Sequence, residues 1–324
     1  MQGRPVDKRL RLIFAGLGLV LMVAIAVWML QGLPEGRARS FVLGLRAERL
    51  AGLLLVGVTT GVATVMFQTL AGNRVLTPQI MGFDSLYILL QTILVAGLGI
   101  TGFASIPTWS KFLLDTAVMI ALGCILFGSL LGRGSRDIAR TILTGVILGV
   151  MFRSLSAFIG RVLDPNEFAV VQQSSFASFG HLDAALLPVA AILTAAAVGL
   201  ALSMAGQLDV LGLGRDRAVA LGLRHRRVVF VTLGLVAVLV AVPTALIGPV
   251  TFFGLIVAGL THGILRNPRH ALLLPAAGMI AAIMLIAGQL VFERLLGQAS
   301  FLSVVIEFAG GLFFLYLLLK GRIR

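Results

Sequence analysis

The sequence has few of the charged side chains that a water-exposed surface needs. Only 12% of its 324 residues are charged and 59% are hydrophobic, whereas about 25% charged residues is usual for a soluble domain. The mean hydropathy is +1.05, so there are too few polar side chains to cover a surface in water. These deficits exclude an ordinary soluble enzyme or binding module and predict an integral membrane protein.

Cysteine and histidine are also scarce. The single cysteine, Cys124, lies in an apolar run, so no disulfide can form within the chain. The four histidines have no metal-ligand spacing, and we expect His225 and His270 to be loop residues. The sequence contains no Gly-(x)4-Gly-Lys-Ser/Thr phosphate loop and no evident nucleophile–base constellation. It therefore predicts no catalytic residue, no metal site and no cofactor on this chain.

Long apolar runs are what the sequence does contain. About 20 apolar residues are needed to cross the hydrocarbon core as a helix. Eight runs meet this need, and two weaker candidates contain Asp84 or follow Gly248-Pro249. We interpret the first run as a retained helix, because it is longer than a signal-peptide core. The prediction is an all-α polytopic membrane protein of about ten transmembrane helices, at 12–30, 50–70, 80–99, 112–131, 142–162, 186–206, 228–247, 252–265, 272–292 and 301–319.

The basic residues cluster between these runs. If the N-terminus is cytoplasmic, 18 of them fall in inside segments and six in outside segments. Because the Lys/Arg bias sets orientation, both termini are predicted to be cytoplasmic. The net charge of +13 is then a property of loops at a membrane face, and it does not indicate nucleic acid.

Two spans are interrupted near proline, one in each half of the chain. The interruptions lie at 73–78 and 243–249. Paired Gly/Pro-broken segments are typical of transporters with inverted repeats. The interruptions are therefore only a weak sign of internal symmetry, since Gly and Pro are common in membrane helices generally.

Three charged residues, Asp84, Arg153 and Glu307, fall within predicted spans. A charge at mid-bilayer costs at least ~2.5–3.5 kcal/mol, so each should face a cavity or a partner. Arg153 and Arg161 are eight residues apart and share one helix face, where they could attract an anionic cargo. Alternatively, Arg153 pairs structurally with Asp84 or Glu307, and Asp84 caps its helix near the membrane interface.

The longest polar connection runs from 207 to 227. Asp216 is predicted to cap a short helix at 217–221 that Gly222 ends. Such a helix suits docking into a groove on a partner, but the spacing is equally compatible with an ordinary charged loop that sets topology.

The pattern Leu211-Gly212-(x)5-Ala218-(x)2-Leu221-Gly222 resembles the coupling segment of the iron-siderophore and cobalamin ABC importer permease family, the FecCD/BtuC-like type II importers. Three other stretches resemble family motifs, at 68–78, 248–257 and 310–320, so the likeness runs from about residue 45 to the end. The sequence of residues 77–87 is most similar to the ferric-catecholate branch, whose members import complexes such as petrobactin or vibriobactin.

This resemblance implies one permease domain over 1–324 with a type II ABC importer permease fold and a cytoplasmic coupling segment at about 207–227. It implies a bacterial inner-membrane importer of a ferric siderophore that works by alternating access. The implied partners are membrane lipid, a substrate-binding protein, a second permease, with a heterodimer favoured over a homodimer, and an ATP-binding subunit that carries ATP and Mg.

The resemblance also assigns residues to three roles. The residues for ATPase coupling are Leu211, Gly212, Arg215, Asp216, Ala218, Leu221 and Gly222. The residues for docking of the binding protein are Arg46, Arg49 and Arg294. The residues for the translocation path are Gln68, Asn73, Pro78, Arg153 and Arg161.

The chain departs from the family pattern at two places. Ala47-Glu48 replaces the Leu-Pro that the family has between its two arginines, and 172–180 lacks the family's Trp-x-x-Gly-Ser element. Glu48 and Glu293 could redirect docking, and the arginines could instead be snorkelling to the interface.

A proton-coupled secondary transporter using Asp84 and Glu307 is the alternative function. It would explain the buried acids and the broken helices, but not the coupling pattern. An intramembrane enzyme would need a nucleophile–base pair that the sequence does not show.

Overall fold

The computed structural model describes the backbone of residues 8–36, 38–132, 138–180, 182–295 and 302–319, and the side chains of 8–36, 38–125, 143–180, 182–293, 303–316 and 319. The described chain is helical, with two additional 3-10 turns at Gln79–Met81 and Ala184–Leu186. Its α-helices are α1 (Lys8–Leu30), α2 (Ala38–Ala71), α3 (Phe83–Ser105), α4 (Thr108–Gly132), α5 (Ile138–Gly160), α6 (Pro165–Ser174), α7 (Leu187–Ser203), α8 (Ala205–Leu211), α9 (Arg215–Ala220), α10 (His225–Ile247), α11 (Phe253–Leu265), α12 (His270–Leu295) and α13 (Leu302–Leu319).

The predicted membrane fold is confirmed. Eight helices of the described chain are long and apolar enough to cross a membrane: α1, α2, α3, α4, α5, α7, α10 and α12. The shorter apolar helices α11 and α13 correspond to the remaining two predicted spans. Eight of the ten predicted spans therefore coincide with helices of spanning length, and the other two coincide with shorter apolar helices.

Helices α2, α10 and α12 form the centre of the bundle. Lipid tails are as apolar as leucine, so close packing has to hold membrane helices together, and small residues allow it. A Cβ atom on Gly57 of α2 would lie 2.8 Å from the backbone nitrogen of Ala282 on α12, and one on Gly61 would lie 2.6 Å from the oxygen of Ala277. The two helices thus meet backbone to backbone along one glycine face.

Three short helices lie outside the ten spans, and the sequence predicted only one of them, with the wrong start. Helix α9 begins at Arg215 after Gly214, whose φ of +90° suits glycine, so the predicted cap at Asp216 is wrong. Helix α8 occupies part of the predicted polar connection. Helix α6 starts with a proline at its first position, a helix-start signal that was present in the sequence.

The two ends of the bundle can be distinguished by their loops. One end carries α8 and α9 and the connections after α2 and α11. Residues of α8 and of these two connections line a common cavity. The opposite end carries the α1–α2 connection and the end of α12 near Glu293.

Candidate functional site

The interruption before α3 lies deep in the bundle. Gly82, with φ +98°, ends the 3-10 turn and begins α3. A Cβ atom on Gly82 would lie 2.7 Å from the Cα of Gly149, which is the midpoint of α5. The start of α3 is therefore at mid-span, where only glycine allows this approach.

The second interruption, between α10 and α11, also lies within the span. Helix α11 has 13 residues and rises about 20 Å, which is less than the roughly 30 Å of the hydrocarbon core. Gly248 and Phe252 both have positive φ. A Cβ atom on Gly310 of α13 would lie 2.4 Å from the Cβ of Phe252, so α13 closely flanks this irregular segment.

The two interruptions meet in a group of polar side chains, here called the central cluster: Asp84, Ser85, Arg153, Thr251 and Glu307. The Thr251 hydroxyl donates to Asp84 Oδ2 at 3.0 Å, and Glu307 lies near both. Arg153 Nη2 donates to Ser85 Oγ at 3.4 Å. Irregular backbone at this depth is tolerated where protein buries it or where it lines a cavity.

Two expectations about the intramembrane charges need correction. Asp84 was placed near the interface as a helix cap, but Gly82 occupies the cap position and lies at mid-span. Arg153 was expected to pair with Asp84 or Glu307; among the described side chains it bonds Ser85 and makes no ion pair with either acid within 4.0 Å. Arg153 is exposed on this chain, so its face of α5 should meet water or protein rather than lipid.

Helices α8 and α9 present an apolar surface at their end of the bundle. Leu213, Val219 and Leu221 are 48%, 53% and 64% exposed, and we call these three the coupling surface. The turn behind them is fixed by the buried Ala218, whose carbonyl accepts from the nitrogen of Leu223 at 3.0 Å, and by Gly222 with φ +82°. Apolar side chains held out on a folded turn suit docking into a groove.

The other predicted coupling residues support this turn. Leu211 is buried and Arg215 is half-buried, while Gly212 and Asp216 are exposed. The segment is therefore folded, and its outer face carries the coupling surface together with exposed charged residues such as Asp216 and Arg217.

Three predicted translocation residues lie at the connection between α2 and α3, away from the central cluster. Gln68 is buried, and its Nε2 donates to the carbonyl of Arg74 at 2.5 Å. Asn73 Oδ1 accepts from the nitrogen of Val75 at 2.9 Å, and Pro78 begins the 3-10 turn. Arg161 follows α5 and is exposed at the far end of that helix. Of the five residues, Arg153 alone joins the central cluster.

The predicted docking arginines have partners within the chain. Arg46 Nη1 donates to the carbonyl of Met29 at 2.9 Å, and Nη2 donates to Gly32 at 3.3 Å, at the end of α1. Arg49 forms an ion pair of 3.4 Å with Glu293 while its side chain is still 38% exposed. The side chain of Arg294 lies outside the described residues. Glu293 is thus a partner of Arg49, a pairing that the sequence did not predict.

One buried acid was not predicted from the sequence, and two histidines lie elsewhere than predicted. Asp115 of α4 is fully buried, and its Oδ2 accepts from Gln91 Nε2 at 2.9 Å; it could have been noticed as a lone carboxylate in a predicted span. His225 and His270 were expected in loops, but both are buried at the first turn of a helix. No group of three potential metal ligands occurs within the described part of the chain.

Comparison with known proteins gives consistent matches. The model of the FecCD transport family matches residues 11–320. The petrobactin import system permease protein YclO of Bacillus subtilis (strain 168) is 38% identical over 280 residues, covering 86% of this chain and 89% of that protein. The petrobactin import system permease protein FatC of Bacillus anthracis is 31% identical over 277 residues, covering 86% and 78%.

A solved structure shares the fold. A metal-chelate type ABC transporter in an inward-facing conformation superposes with a TM-score of 0.81, covering 96% of this chain and 99% of that chain at 21% identity. The packing of the thirteen helices described above is therefore that of a known transporter architecture.

Proposed function

Because the chain belongs to the FecCD transport family, we propose that it is the membrane-spanning permease of an ATP-driven importer for a ferric siderophore of the petrobactin class. The observation that carries this proposal is the coupling surface, which is folded and apolar at one end of the bundle. The names of the relatives YclO and FatC supply the substrate class. We place the protein in the bacterial cytoplasmic membrane with both termini inside.

Like its relatives, the chain is a permease and not an enzyme. ATP and Mg are assigned to a separate ATP-binding subunit, because the sequence has no phosphate loop. The coupling segment at about 207–227 would dock that subunit through Leu213, Val219 and Leu221. The proton-coupled alternative based on Asp84 and Glu307 is not supported, since the family and its relatives are importer permeases.

The translocation path is proposed to run along the face of α5 that carries Arg153, between this chain and a second permease. An exposed guanidinium at mid-span is costly against lipid, and a path filled with water or cargo removes that cost. Arg153 would attract an anionic ferric complex, while the nearby acids limit how tightly the complex is held. The resemblance to the ferric-catecholate branch favours a heterodimer of two permeases over a homodimer.

During alternating access, the translocation path would change shape at the two interruptions. Both break helical hydrogen bonding in the span, and both touch the central cluster through Asp84 and Thr251. Elements joined by irregular segments can reorient without unfolding a complete helix. The single domain over 1–324 would contain both the moving and the fixed parts.

Reconstitution of the tagged chain with whatever co-purifies from its own host tests this function. We expect an ATP-binding subunit and a second permease to be recovered, and uptake of ferric petrobactin into proteoliposomes to require ATP on the side of the ATPase. Uptake should persist when the proton gradient is collapsed and ATP is maintained. Recovery of the chain alone, with uptake that stops on collapse of the gradient, would contradict the importer assignment.

Two variants can distinguish docking of a substrate-binding protein at Arg49 from the structural role of the ion pair between Arg49 and Glu293. Arg49→Gln and Glu293→Gln both break the 3.4 Å pair, but only the first removes the arginine. If the arginine meets an acid on the binding protein, only Arg49→Gln should lower uptake at limiting binding protein. We expect a fall of about fivefold, the loss of about 1 kcal/mol of exposed pairing.

The control variant decides the interpretation. Glu293→Gln should retain uptake and membrane insertion, because it leaves Arg49 available. An equal loss of uptake in both variants would show that the ion pair itself is needed and would reject docking at this residue.

A further inference from the structure

A chain of short hydrogen bonds joins the coupling segment to the centre of the bundle. Asp209, on α8, accepts through Oδ1 from both the backbone nitrogen and Nδ1 of His270, each at 2.7 Å. His270 Nε2 lies 2.6 Å from the hydroxyl of Thr69, near the end of α2. We call Asp209, His270 and Thr69 the α8–α2 link.

The geometry assigns a direction to each bond of this link. A carboxylate can only accept, so His270 Nδ1 carries the proton that Asp209 receives. In the neutral ring Nε2 is then left as an acceptor that shares the Thr69 hydroxyl with the backbone carbonyl of Val65, which lies 3.0 Å from the same oxygen. His270 is 4% exposed and is the first residue of α12, so Asp209 also satisfies one of the free N–H groups at the start of that helix. The link therefore fixes α8 against both α12 and α2.

The end of α2 leads directly into the first interruption. Gln68, next to Thr69, holds the connection that follows α2 through two hydrogen bonds. Its side-chain Nε2 donates to the carbonyl of Arg74 at 2.5 Å, and its backbone carbonyl accepts from the backbone nitrogen of Asn73 at 3.2 Å. That connection continues through the 3-10 turn to Gly82 and Asp84. Bonded neighbours thus connect α8 to the segment that leads into the central cluster.

One side of this region borders a cavity. The three residues of the link line a cavity of about 600 Å³ together with Gln68, Arg74 and Arg266. Where a connection borders a cavity, its position depends on its hydrogen bonds more than on close packing. The cavity also leaves room for the connection after α2 to shift.

We propose that the α8–α2 link positions the first interruption in response to the ATP-binding subunit, and that Thr69, His270 and Asp209 are positioning residues for coupling rather than for ATPase docking or substrate binding. This inference rests on the proposed function. It predicts that breaking the link separates ATP hydrolysis from transport. A residue that only stabilised the fold would lower both together.

The test measures ferric-siderophore molecules imported for each ATP hydrolysed, in proteoliposomes containing the complete transporter. Thr69→Val removes the hydroxyl with little change in shape, and Thr69→Ser restores it. We expect Thr69→Val to retain the ATP-binding subunit and its hydrolysis but to lower the import ratio about fivefold, the factor expected from one hydrogen bond. Thr69→Ser should recover at least half of the loss.

A variant of His270 breaks one bond of the link and keeps the other. His270→Asn keeps an N–H near the position of Nδ1 for Asp209 but cannot reach Thr69, so it should lower the import ratio as Thr69→Val does. Glu35→Gln, on the exposed α1–α2 connection, serves as a control that should leave the ratio unchanged.

Two results would overturn the inference. A normal import ratio in both Thr69→Val and His270→Asn would show that the link does not transmit coupling. Loss of the ATP-binding subunit in Thr69→Val would show that the link maintains the docking surface instead. Failure of the unaltered chain to recover any ATP-binding subunit would be distinguishable from both, since it rejects the proposed function itself.

Discussion

Replacing Leu221 with aspartate is expected to abolish recovery of the ATP-binding subunit while the chain still inserts in the membrane. Leu221 is 64% exposed at the outer edge of the coupling surface, so the change removes little that the fold depends on. A charge there would have to be desolvated in an apolar groove. An interface residue at the centre of a docking site contributes about 2 kcal/mol or more, equivalent to roughly 30-fold in affinity.

The measurement is co-purification of the ATP-binding subunit in mild detergent, followed by ATP-dependent uptake. Leu30→Asp is a matched control, because Leu30 is 61% exposed at the opposite end of the bundle. It should retain the ATP-binding subunit. Equal recovery of that subunit with Leu221→Asp would show that the coupling surface does not dock it.

Replacing Arg153 with glutamine is expected to lower uptake about tenfold or more, a loss of 1.4 kcal/mol in the rate-limiting step. Arg153 is the cation of the central cluster and faces outward from α5 at mid-span. Without it, the central cluster would offer no cation to an anionic cargo. Because Arg153 makes one long bond, to Ser85 at 3.4 Å, its removal should cost the fold little.

Charge and shape at this position can be tested separately. Arg153→Lys keeps the charge and should retain most of the uptake, whereas Arg161→Gln removes the exposed arginine that follows α5. Recovery of the ATP-binding subunit should be normal in all three variants. Normal uptake in Arg153→Gln would remove Arg153 from the translocation path.

The sequence predicted some parts of the site better than others. The coupling segment was recognisable because its residues are close together in the chain, although Gly214 rather than Asp216 begins α9. The central cluster was not predicted as a unit, since Asp84 and Thr251 are 167 residues apart. The α8–α2 link was missed for the same reason, and because a buried histidine cannot be told from a loop histidine by spacing.

By itself the sequence determined that this protein crosses a membrane with about ten helices, because burial in lipid depends on the length and composition of each run alone. It also determined the family, through motifs that are local in the chain. Only the tertiary structure decided which of the polar residues meet. Hydrogen bonds join atoms about 3 Å apart whatever their separation along the chain, and the packing that brings Thr251 to Asp84 and His270 to Asp209 is a property of the whole bundle.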